Sequence, residues 1–150
     1  MQSIHTFIRQ SPRFAAALAF GISTSTLTHF AWYPTARMSG AIPALTLGVG
    51  LAHAVAGAIT GARLIDPKRT RTSLHAALLG AGTSLFALAM FAPGLAIYVS
   101  ASNIAQSSVL GFATLTFFTG LFAFLAAGWA LLLLSVGVAW GLYHLAITTA

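Results

Sequence analysis

Arg63-Leu-Ile-Asp-Pro-Lys-Arg-Thr-Arg-Thr72 holds four of the seven Lys and Arg residues of this 150-residue chain and, in Asp66, its single acidic residue. Beyond Arg71 no charged residue occurs as far as Ala150. A segment that long without charge cannot stay soluble on the composition of an ordinary globular domain. With 58% hydrophobic and 5% charged residues, the chain falls outside the soluble, disordered and fibrous classes, and lipid is the solvent it fits. The basic stretch then reads as a loop between membrane spans.

On its N-terminal side lies an expected span at about 42–62, built from small residues. His53, Gly57 and Gly61 recur every fourth residue and share one helix face, and Gly57-Ala-Ile-Thr-Gly61 is a GxxxG that lets another backbone approach closely. A turn with Arg37 separates it from a first span at about 14–33. There Ser11-Pro12 gives an N-cap and first helical residue, and Trp32 and Tyr33 close the far end as aromatic belt residues do. The hydroxyl run Ser23 to Thr26, with Thr28, is read as bonding its own backbone or a neighbouring helix. Ahead of it, Ile4, Phe7 and Ile8 with Arg9 and Arg13 suit a short helix lying in the membrane interface. A frayed tail and a cleaved signal peptide are the competing readings.

On the C-terminal side, Asp66-Pro67 or Thr72 caps a third span at about 73–99, which Pro93-Gly94 is expected to kink or end. A polar loop with Asn103 and Gln106 follows. Residues 109–147 then run without a charge for roughly 58 Å of helix, against a hydrocarbon core of ~30 Å. No Pro, Asn or charge marks a turn near Gly128, so one long helix is favoured over two crossings. The expected fold is an all-α integral membrane protein, one domain over residues 1–150, with four transmembrane helices at about 14–33, 42–62, 73–99 and 109–147 plus the interfacial segment.

With the N-terminus inside, the inner side carries Arg9, Arg13, Arg63, Lys68, Arg69 and Arg71 and leaves Arg37 alone outside. That bias puts both termini and the 63–72 loop on the cytoplasmic side of a bacterial inner membrane or its organellar equivalent. The net charge of +6 is accordingly assigned to topology and lipid headgroups rather than to nucleic acid.

Chemistry is sparse. There is no cysteine, so disulfides, thiolate metal sites and a Cys nucleophile are excluded, and one acidic residue cannot supply paired carboxylates. Small four-helix drug exporters are similar in size only, since they depend on an acid inside the bundle. The candidates that remain are His29, His53, His75 and His144, each of which must find a partner in lipid. A Ser or Thr hydroxyl or a freed carbonyl is the plain partner, and no i, i+4 histidine pair points to zinc. Neutral imidazole also ligates the metal of haem or chlorophyll, and glycines beside it make room for a flat macrocycle. Over five residues, His53 to Gly57 resembles the haem-ligand segment of the cytochrome b anchor subunits of complex II. The Arg-His pair and second ligand of those anchors have no counterpart here. The resemblance implies a tetrapyrrole at His53, and a His75 and His144 pair is the other candidate.

Phe112, Phe117, Phe118, Phe122 and Phe124 give the last span more aromatic surface than one four-helix bundle buries. The leading functional reading is a non-catalytic accessory or scaffold subunit of a larger membrane complex, bioenergetic or photosynthetic, contacting lipid and other subunits or a second copy. A haem- or chlorophyll-binding subunit is the alternative, and a small channel or carrier lined by the hydroxyls of the first span is a third.

Overall fold

The computed structural model describes residues 6–8, 10–36, 42–66, 68–99 and 108–147, and the elements among them are helical. They are α1 (Pro12–Ala36), α2 (Ile42–Leu64), α3 (Ser73–Val99), α4 (Val109–Ala123) and α5 (Trp129–Ile147), the last two joined without a break by a π-helical turn, Phe124–Gly128. Arg9, Arg37, Pro67 and residues 100–107 of the expected loop, Asn103 and Gln106 included, lie outside the described residues, as do the side chains of Trp32 and Tyr33.

Three helical stretches are long and apolar enough to cross a membrane: Thr46–Leu64, Ser73–Gly94 and Trp129–Ile147. The expectation of four spans narrows accordingly. At 25 residues α1 has the length, but its run of hydroxyls makes it the least apolar of the five helices. Val109–Phe122 is apolar but shorter than a span.

The helix boundaries follow from local chemistry. The Ser11 carbonyl accepts the Ala15 N–H at 2.9 Å, with Pro12 at the first helical position, where its missing N–H costs nothing. Thr72 Oγ1 accepts the His75 N–H at 3.1 Å and begins α3, and Ser108 Oγ does the same for Gly111 and α4. Asp66, a candidate cap in the sequence, instead shapes the loop. Its Oδ1 accepts the Lys68 N–H at 3.0 Å, and its carbonyl accepts those of Arg69 and Thr70. Thr70 Oγ1 closes α2 by donating to the Arg63 carbonyl at 2.8 Å. At the other end of α3, Pro93-Gly94 does not end the helix, which continues to Val99 with Pro93 inside it. The lost Pro93 N–H removes one rung, a smaller loss than ending the helix and exposing four carbonyls to lipid.

From 109 to 147 the chain is one helical run that does not fold back. The π turn admits an extra residue and shifts the phase by about 100°. Below it α5 buries Leu131, Ser135, Ala139, Leu142 and Ala146 at intervals of three and four residues. Above it α4 leaves Leu110, Phe117, Phe118 and Phe122 exposed.

α1 packs along α2, α2 along α3, and α3 along both α4 and α5, while α1 closes the bundle against α5. The main core joins Ala16 and Phe20 of α1, Leu64 of α2, Ala76 of α3 and Ala139, Leu142 and Tyr143 of α5. These residues all lie in the turns nearest the 63–72 loop. Four helices therefore converge at that end, while α4 reaches the other end against α3. Ile8 packs with Ala15, Ile65 and Ala146, so the helical residues 6–8, expected in the interface, also cap the bundle. That cluster places the N-terminal residues, the basic loop and the end of α5 at one end of the molecule.

Candidate functional site

His53 lies in the fourth turn of α2 and is 1% exposed, facing a fully enclosed Ser84 on α3. Its Nδ1 is 2.9 Å from the Val49 carbonyl, which can only accept, so Nδ1 carries the proton. In the neutral ring Nε2 is then the acceptor, and the Ser84 hydroxyl donates to it across 3.3 Å. Two turns further along α2, Thr60 Oγ1 lies 2.9 Å from Thr83 Oγ1 and 3.0 Å from the Ala56 carbonyl, and with Thr83 donating to its own helix the single Thr60 proton is shared between these two acceptors. Thr83 donates in turn to the Leu79 carbonyl at 2.7 Å. The geometry is a polar layer that ties α2 to α3 inside an apolar bundle, where each hydroxyl or imidazole must find a partner within the protein.

A hydroxyl donating to an imidazole is also how a serine nucleophile meets its base. Here neither group reaches the surface, and a backbone carbonyl, not a carboxylate, orients the ring. Among the described residues no group of three His, Asp or Glu side chains is placed to hold a metal.

The glycines after His53 face a different helix. A Cβ on Gly57 would stand 2.8 Å from the Phe20 ring and 2.9 Å from the Ala16 carbonyl oxygen, and one on Gly61 would stand 2.8 Å from the Pro12 carbonyl oxygen. The space these glycines open is filled by α1, while His53 looks toward α3. Their spacing of four residues advances the face by about 40° per step, enough over 53–61 to divide the stripe between two neighbours.

The other candidate histidines, His29, His75 and His144, lie elsewhere. His29 is exposed and edge-on to Phe30, His75 is exposed at the start of α3, and the His144 ring lies 4.2 Å from that of Trp140. Arg63, Lys68, Arg69 and Arg71 are exposed, and Arg69 pairs with Asp66 at 3.4 Å. Ser84, Thr83 and Thr60 escape sequence reasoning focused on histidines and on the hydroxyl run of α1. The available signal is that Thr83-Ser84 interrupts an otherwise apolar run from Ala76 to Met90. Within α1, Thr24 and Thr28 donate to the Phe20 and Thr24 carbonyls at 2.6 and 2.7 Å, the expected bonding to their own backbone.

Fold and site together define an all-helical protein with three helices able to cross a membrane and a buried imidazole and hydroxyl clamp between two of them. No family model matches the chain, and neither a curated protein nor a solved structure does.

Proposed function

We propose that this protein is a non-catalytic subunit of a larger membrane assembly, with α4 as the face that another membrane protein covers. The observation that carries this reading is the exposure of Phe117, Phe118 and Phe122, at 66%, 60% and 73%, on a helix whose main packing partner among the described residues is α3. Aromatic side chains on a rigid helix are strong anchors for protein contact. The enclosed His53 and Ser84 support a structural use of the polar layer, since a substrate has no route to either. In this reading all four helical runs cross the bilayer, α1 included, because Thr24 and Thr28 donate to its own carbonyls and Ser25 to one on α2, and so cost less to immerse. The basic end, with both termini, faces the cytoplasm or its equivalent.

The test is purification from native membranes in mild detergent, followed by size analysis and an absorption spectrum. A colourless preparation in which the protein migrates with a second membrane protein at fixed ratio is expected. A stable colourless monomer would remove the accessory role, and a Soret or Qy band would replace it with the pigment-binding reading.

A further inference from the structure

Between α1 and α2 runs a shallow cleft of about 310 Å3, walled by Leu18, Ile22, Leu47 and Leu51 and floored where Gly21 and Gly50 let the helices meet. A Cβ on Gly21 would stand 3.0 Å from that of Ala54, and one on Gly50 would collide with Ser25 Oγ unless that side chain turned away, so the two glycines let the helices meet closely at the floor. Ser25 Oγ donates to the Thr46 carbonyl across this seam at 3.4 Å. The cleft extends along α1 from Ala17 to Thr26, a rise of about 14 Å, close to half of a ~30 Å hydrocarbon core. One leaflet of acyl chain has that length.

The end of the cleft nearer the basic loop supplies a charge. Arg13 precedes Ala17 and Gly21 at steps of four on the same stripe of α1 and is exposed. Its backbone adjoins α2 closely, since a Cβ on Gly61 would lie 3.2 Å from the Arg13 Cα. Arg63, Lys68 and Arg71 are exposed at the same end of the bundle, and among the described residues the one ion pair is that of Arg69 with Asp66. The chain offers no further acid to neutralise them. Positive charge therefore gathers at headgroup depth, one helical turn from an apolar slot of acyl length. We propose that this cleft binds an anionic phospholipid, with an acyl chain laid between α1 and α2 and the phosphate held by Arg13 with support from the basic loop.

The experiment is native mass spectrometry of the full chain in mild detergent, titrated with phosphatidylglycerol and, separately, with phosphatidylcholine of the same chains. Phosphatidylglycerol is expected to bind in preference, with inorganic phosphate failing to compete. Arg13→Gln should weaken that binding about fivefold, the effect of one basic residue at an anionic surface, and Arg13→Lys should restore most of it. Ala17→Phe, which keeps Arg13 and fills the slot, should weaken both lipids, and unchanged helical circular dichroism will show that each variant is folded. Equal binding of the two lipids, or an unaffected Arg13→Gln, would overturn the proposal. Competition by inorganic phosphate would overturn it too, by assigning the charge to a free anion. Unaltered binding by folded Ala17→Phe would overturn the assignment of the cleft.

Discussion

A single hydroxyl, that of Ser84, decides whether the His53 imidazole is satisfied inside the bundle. Ser84→Ala leaves Nε2 without its donor, and a side-chain hydrogen bond between membrane helices contributes about 0.6 kcal/mol on average and up to ~1.7. A loss in that range is expected in denaturing-detergent titrations, and a double-mutant cycle with His53→Phe should return a coupling of similar size. No coupling would mean that the imidazole is satisfied elsewhere. The glycines permit a sharper comparison. Gly57→Leu must displace the Ala16 carbonyl, which is backbone and yields only if α1 itself shifts, whereas a Cβ on Gly137 meets nothing within 4 Å. The first is expected to cost ~1–3 kcal/mol or more as overpacking, and the second to leave stability within about 0.5 kcal/mol. Thermal stability of both variants in the same detergent checks this, and equal melting temperatures would contradict the α1–α2 packing.

Among the elements, the positions of α1, α2 and α3 were legible in the sequence because charge, Pro and Gly mark their ends. Apolar length alone could not say how 109–147 is accommodated. A π turn carries no residue signature of its own, and Phe124-Leu-Ala-Ala-Gly128 differs little from its flanks. The candidate site was legible in part. His53 and its glycines stand out by type and spacing, but which helix each faces depends on a rotation of tens of degrees that period counting does not resolve. Their partners, Phe20 and Ser84, are distant in sequence and ordinary in type. The π turn also sets the face that α4 presents. Deleting Ala127 would close the turn and place residue 119 where Gly120 now sits, with room for a Cβ at only 3.1 Å from that of Ala92. The expected result is faster hydrogen exchange in 109–123 with protection of α5 unchanged, and unaltered exchange in α4 would show that the turn does not set its packing.

For the whole molecule, the clustering of Ile8, Ala15, Ile65 and Ala146 means that the N-terminal residues, basic loop and α5 end share one side. A reporter inserted after Arg69 is expected on the cytoplasmic side, and its recovery outside would reverse the orientation. The same asymmetry sets the packing: the core is concentrated at the basic end, and the α4 aromatics are left exposed above it. The most direct test of the proposed subunit role is photo-crosslinking in native membranes, with a reactive residue placed in turn at Phe118, Phe122 and Leu78. Leu78 is 63% exposed on α3 and serves as a lipid-facing control. The expected result is a discrete adduct to one membrane protein from positions 118 and 122, with lipid adducts alone from position 78. Lipid adducts alone from all three positions would contradict it.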